Sequence, residues 1–299
     1  MVEDTGKIIS NGFETYTKNL NLCVPFVVNL FVSRIMDFLF FSVGFSYILG
    51  SNLSSLNETA SPEQIISTIL PLISRHIFEI AIMVILFILI SLFFQAFFTA
   101  GAIGMAKQAT ETGTLNLSSM LEYGKKNVVN LYLAEILIGL LLFAGVVFLV
   151  PGALSADRGN ILSSDTSSIL LFMIGVLVWI IYAVILSIVL ALASYALVVE
   201  SLGPVDGIIA GYNFFTKQKF DVFLLWLIIL IVSAVPIIGL VILGAIFGMN
   251  FIWLLIILVS VLIIAPLTTL WWVRLYMTRT DKKIYFNELL AHPNELEKF

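Results

Sequence analysis

Between residues 220 and 277 the chain carries only two charged side chains, Asp221 and Arg274. An α-helix rises 1.5 Å per residue, and about 20 apolar residues cross a bilayer core. The run is therefore too long for one crossing and fits two membrane-spanning helices, over residues 221–247 and 250–277. The turn between them is best placed at Gly248, Met249 and Asn250. Four more apolar runs precede it, at residues 20–49, 77–105, 128–150 and 167–199. The expected fold is an all-α polytopic bundle of six spans in three hairpins. It forms a single membrane domain over residues 1–277, with a short charged tail over 278–299. Composition agrees: 11% of residues are charged, against about 25% in a soluble domain, too few to cover a water-facing surface.

Charge fixes the expected orientation. With the amino terminus inside, the inner segments hold Lys7, Lys18, Lys107, Lys125, Lys126, Lys217, Lys219, Arg274, Arg279, Lys282, Lys283 and Lys298. The outer segments hold Arg75 and Arg158, and Arg34 lies within the first span. The positive-inside rule then predicts a cell-membrane protein with both termini cytoplasmic. The net charge of −4, without a basic block, argues against a nucleic-acid partner.

Three short segments look alike. Tyr16-Thr17-Lys18, Tyr123-Gly124-Lys125 and Phe215-Thr216-Lys217 each stand just before an odd-numbered span, 107 and 92 residues apart. Before the third, Val205, Ile208, Ile209, Tyr212 and Phe215 recur at helical spacing and form an apolar stripe. Ile8, Ile9, Gly12, Phe13 and Tyr16 do the same before the first. The expectation is a tripled unit, in which a cytoplasmic-side amphipathic helix precedes each hairpin. Tyr16, Tyr123 and Phe215 would then sit at the headgroup level, and Lys18, Lys125 and Lys217 would reach the anionic leaflet surface. Trp271 and Trp272 are expected in the same aromatic belt. A further surface helix, on the outer side, is expected to begin at Ser61.

These segments carry a family resemblance. Ser194-Tyr195-Ala196-Leu197-Val198-Val199-Glu200, the helix with Gly211-Tyr212 and Phe215-Thr216-Lys217, and the opening Gly12-Phe13, Lys18-Asn19 and Pro25 resemble a known group of six-span proteins. This is the family of membrane domains attached to glycerophosphoryl diester phosphodiesterases, with free-standing archaeal and bacterial relatives. The resemblance covers nearly the whole chain and implies the six-span fold. In the fused relatives the enzyme is a separate soluble domain, so the resemblance implies no such activity for this chain.

Charges inside spans are functional candidates. Arg34 and Asp37 are three residues apart and share a helix face. Glu135 stands about 12 Å into the third span. The sharp reading is an Arg34, Asp37 and Glu135 cluster lining a polar path. The structural reading is an ion network that fixes the first span against the third. Small residues at every fourth position, Ala96, Ala100 and Gly104 in the second span and Ala183, Ser187 and Ala191 in the fourth, invite close helix packing.

Catalytic patterns are missing. His76 and His292 fall on opposite sides of the predicted topology, and Cys23 stands alone, so no cofactor or metal is expected. Neither GxSxG nor a phosphate-binding GxxxxGK[ST] occurs. Two roles remain. One is a non-enzymatic scaffold or accessory protein that binds lipid, a membrane-protein partner or a second copy. The other is a small transporter or channel that uses the intramembrane charges.

Overall fold

The computed structural model describes residues 3–49, 71, 73–155, 166–247 and 249–285. Among these residues the chain is helical and contains no strand. Helix α1 (Thr5–Lys18) is capped by Asp4, whose carboxylate accepts the Lys7 amide at 2.7 Å. A 3-10 turn over Leu20–Cys23 leads into α2 (Val24–Leu49). α3 (Ile77–Thr112) and α4 (Ser118–Ala144) form an antiparallel pair. The chain continues from α4 through Gly145–Leu149 into the short α5 (Val150–Ser155). α6 (Thr166–Val189) and α7 (Ala193–Glu200) make the fourth span. α8 (Pro204–Lys217) precedes α9 (Lys219–Phe247). The last span is α10 (Met249–Val259), a π-helical turn over Ser260–Ile264, and α11 (Ala265–Arg279).

Six of these stretches are long and apolar enough to cross a membrane, so this is a multi-pass membrane protein. Their boundaries follow the apolar runs, with one systematic difference: helices run on beyond the apolar stretch. α3 extends past Met105 through Ala106, Lys107, Gln108 and Ala109, which are good helix formers. It stops at Gly113, whose φ of 72° suits a residue without a Cβ. α4 begins at Ser118, so the second lysine-bearing segment is the opening of a continuous helix rather than a separate surface helix. The outer helix expected at Ser61 lies outside the described residues.

The core sits at one end of the bundle, the end that carries α1, α8 and Arg279. There the near parts of the three even-numbered spans, α3, α7 and α11, pack on one another. Their buried faces are rich in small residues: Ala96, Ala100, Ala106 and Ala109 on α3, and Ala193 and Ala196 on α7. Small side chains let helix backbones approach in lipid, where apolar burial alone gives helices no preference for each other. α11 supplies the bulk, with Leu270, Trp271, Leu275 and Met277. At the opposite end the helices pack mainly within their own hairpins, α2 on α3, α5 on α6, and α9 on α10.

Candidate functional site

Each of the three lysine-bearing segments docks on an even-numbered span. The opening of α4 packs on α3: Gly104 faces the Tyr123 side chain, Gly101 faces Met120, and Gly124 meets Phe97. α8 packs on α7. A Cβ on Gly211 would lie 2.6 Å from the Ala193 backbone, and one on Gly207 would lie 2.7 Å from Leu197. α1 packs on α11, where a Cβ on Gly12 would lie 2.5 Å from the Trp271 ring. In α4 and α8 the docking span immediately precedes the segment in the chain. For α1 it is the last span, so α1 closes the end of the bundle across nearly the whole sequence.

The α1–α11 contact is polar at its heart. Arg274 donates twice to the Glu3 carboxylate, from Nε to Oε2 and from Nη2 to Oε1, both at 2.7 Å. Both side chains are buried. Asn11 Nδ2 donates to Glu3 Oε1 at 2.7 Å. Arg279 donates to the Glu3 carbonyl and to Asp221 Oδ2, each at 2.7 Å, and so ties α1 to α9 as well. Burial alone would raise the Glu3 carboxyl. The Arg274 hydrogen bonds and charge, with the Asn11 bond, outweigh it and hold the group below its ordinary value. A paired buried arginine is stable here because its fork matches the carboxylate and both oxygens are used.

The aromatic residues expected at the lipid interface turn inward instead. Trp271 and Trp272 are buried. Trp271 Nε1 donates to the Ile9 carbonyl at 3.2 Å, and Trp272 lies against Tyr195. Tyr16 is buried too, and its hydroxyl donates to the Leu262 carbonyl. That carbonyl stands one helical turn before Pro266, which has no amide hydrogen to offer it. The polar tips of Trp271 and Tyr16, which would seek water at a membrane surface, have found protein carbonyls. Tyr123 is half-buried under Lys107, whose Nζ lies 5.7 Å from the ring centre. Phe215 is half-buried, and its neighbour Phe214 stacks on Tyr276.

The outward faces of the same segments differ. Lys18, Lys125, Lys126, Lys217 and Lys219 are exposed. Beside them stand exposed Phe13 and Leu20, Leu117 and Leu121, and Val205, Ile209, Tyr212 and Phe220. The stripe expected on α8 thus divides, with Ile208 and Phe215 toward the core and the other three residues outward.

Of the three intramembrane charges, two form an ion pair with each other. Arg34 Nη1 donates to Asp37 Oδ2 at 3.3 Å, on the exposed side of α2. Glu135 makes no ion pair with either among the described residues, and its Oε2 is enclosed without a hydrogen-bond partner. Phe40 stacks on Phe87, and Tyr132 lies edge-on to Phe93. These contacts place Asp37 and Glu135 at neighbouring levels along α3, on different helices. Of the small residues, Ala96, Ala100 and Gly104 lie in the core. Ala191 packs against it. Ala183 is half-buried, while Ser187 is exposed and donates to Val184 of its own helix. The difference arises because α6 packs on the far end, against the residues of Gly145–Ser155, and not along its own stripe.

Comparison with known proteins gives one informative likeness. The chain is similar to an uncharacterized protein of Archaeoglobus fulgidus, 25% identical over 197 residues, which is 62% of this chain and 64% of the relative. The chain thus spans less than two thirds of that relative's length. No family model matches the sequence. No solved structure matches it either.

Proposed function

We propose that this protein is a non-catalytic membrane scaffold of the cell membrane, with both termini in the cytoplasm. Its three lysine-bearing segments engage the anionic headgroups of the inner leaflet. The kinship with the membrane domains of glycerophosphoryl diester phosphodiesterases belongs to the same proposal, as does descent from a tripled hairpin unit. One observation carries the reading. All three segments dock on an even-numbered span through contacts that a glycine on one side or the other makes close, and leave an apolar face with exposed lysines outward. Such a face buries its apolar side chains among acyl chains. Each lysine near the surface adds about 1 kcal/mol of attraction to anionic lipid.

The test is lipid retention. The full chain is reconstituted in mixed phosphatidylglycerol and phosphatidylcholine bilayers and extracted, and its retained lipid is quantified. Phosphatidylglycerol should be enriched several-fold over the bulk. A variant with Lys18, Lys125, Lys126, Lys217 and Lys219 all changed to Gln should lose that enrichment and keep its melting temperature. Equal retention of the two lipids by the unaltered protein would sink the proposal.

A second reading, transport, is favoured by the unpartnered Glu135 oxygen. Ion or proton flux into protein-containing vesicles that Glu135→Gln abolishes would select it. Absence of any flux would remove it.

A further inference from the structure

Helix α2 presents a seam that is exposed among the described residues. Phe31, Arg34, Phe38 and Phe41 recur at steps of three, four and three residues, the spacing of a coiled-coil contact row. The three phenylalanines are 64%, 70% and 58% exposed, and the Arg34 side chain is 63% exposed. The opposite side of the helix is the one used within the hairpin. There Phe40 stacks on Phe87, and Met36 and Val43 face α3. Hydropathy reads α2 as an ordinary lipid-facing span. Its charge pattern does not fit that reading.

Arg34 lies ten residues beyond Val24 in a 26-residue helix, about 15 Å along its axis and close to the middle of a bilayer. An arginine there is costly wherever it faces hydrocarbon, and such residues ordinarily turn toward protein or water. Its pairing with Asp37 answers only part of that cost. The contact is a single hydrogen bond of 3.3 Å, made by one of five guanidinium N–H donors and accepted by one carboxylate oxygen. The remaining donors and the second oxygen stand on an exposed face between phenylalanines.

We propose that this seam is the contact between two copies of the chain, packed through α2 about a two-fold axis along the membrane normal. The face is its own complement. Arg34 and Asp37 are one turn apart, so in a parallel pair Arg34 of each copy reaches Asp37 of the other. The two half-satisfied ion pairs become one four-membered network. The phenylalanines above and below interleave across the axis. A two-fold contact needs the same patch on both partners, and a plus-minus pair on an otherwise apolar row supplies it. A single polar position in such a seam also fixes register, because any slip leaves charge unpaired in lipid. A different partner would need a matching acid and base at this depth, whereas a second copy carries them already.

Cysteine cross-linking of the full chain in bilayers tests the proposal, with Cys23 replaced by serine. Phe38→Cys lies on the seam, and Met36→Cys faces α3. Under mild oxidation Phe38→Cys should give at least tenfold more disulfide-linked dimer than Met36→Cys. Adding Arg34→Asp, which places like charges across the axis, should lower that yield about tenfold. Exchanging the pair, Arg34→Asp with Asp37→Arg, should restore it. The comparison of Phe38→Cys with Met36→Cys stands even if the charge variants insert poorly. Equal, low dimer yields from the two cysteines would overturn the proposal. A membrane-impermeant maleimide then identifies the replacement. Rapid labelling of Phe38→Cys means a water-lined passage, and protection means a foreign partner or lipid. A yield unaffected by Arg34→Asp would also overturn the ion-pair contact.

Discussion

The two ends of this bundle are held by different physics. At the lysine-bearing end all three hairpins meet. Backbones approach through Gly104, Gly207, Gly211 and Gly12, and polar side chains reach partners far away in sequence. At the opposite end each helix mainly has its own hairpin partner. Large apolar side chains such as Phe78, Leu154 and Ile238 stand exposed, and two apolar cavities of about 360 and 250 Å³ open between α2 and α3. In water such an end would collapse. In lipid it is stable, because acyl chains solvate leucine and phenylalanine as well as protein does. Specificity is therefore concentrated at the end where polar groups and close backbone contacts cannot be replaced by lipid.

The largest effect that contrast implies is at Gly211. Gly211→Leu must push α8 off the α7 backbone, which cannot yield as a side chain can. It should cost more than about 3 kcal/mol, enough to remove folded protein from a detergent extract. Gly139 on α4 has nothing within 4 Å of an added Cβ, and Gly139→Leu should stay within about 0.5 kcal/mol. Thermal unfolding of the two variants side by side measures the difference. Equal melting temperatures would mean that the two ends are not held differently.

Next in size is the buried ion pair. Arg274→Met leaves the Glu3 carboxylate enclosed without its main partner and should cost about 3–5 kcal/mol. Glu3→Leu combined with Arg274→Met should recover part of that loss, since removing both charges removes the desolvation cost as well. A double variant no better than the single one would show that Arg274 acts through packing alone.

The same pair sets a pH dependence. The folded Glu3 carboxyl lies below its unfolded value. It therefore binds protons more weakly in the folded chain, and its contribution is fully present above the unfolded value, near pH 4.5. The contribution is lost as pH falls through the folded value. Between pH 7 and pH 3 the melting temperature of the unaltered protein should fall further than that of Glu3→Gln. Parallel curves would show that the carboxylate contributes nothing as a charge.

How far the sequence foretold this depends on whether the cause is local. The six spans were legible because apolar length is a local property. So was the Arg34–Asp37 pair, three residues apart on one helix, and so were Ala96, Ala100 and Gly104, whose spacing marks a close-packing face. The Glu3–Arg274 pair was not, because no local pattern links residues at the two ends of the chain. Arg274 read only as one more inner charge. Trp271, Trp272 and Tyr16 were read as interfacial because an aromatic ring with a polar tip suits that zone. The tips of Trp271 and Tyr16 meet carbonyls, and the ring of Trp272 meets Tyr195, partners that only the tertiary fold brings near, although Pro266, which leaves the Leu262 carbonyl without an amide, was plain in the sequence. Gly207 was passed over, and Gly211 entered only as part of a family motif, because the apolar residues around them suggested a lipid-facing stripe. A helix docked on protein and lying in lipid carries two apolar faces, and the small residues identify the protein side.

The smallest expected effect lies in the crease between α2 and α3, where Val43, Met83 and Leu86 line both cavities. Val43→Phe would crowd a well-packed core by a ring. Here it enters open apolar space and replaces acyl chain or void with protein. The change in stability should be under about 1 kcal/mol, in the stabilising direction if the ring fills the cavity. Unfolding in short-chain and long-chain lipid separates the contributions. If the far end is solvated by lipid, the gain from Val43→Phe shrinks as longer chains fill the crease themselves. A loss of several kcal/mol, comparable to Gly211→Leu, would mean that α2 and α3 pack as tightly there as the helices do around Gly104.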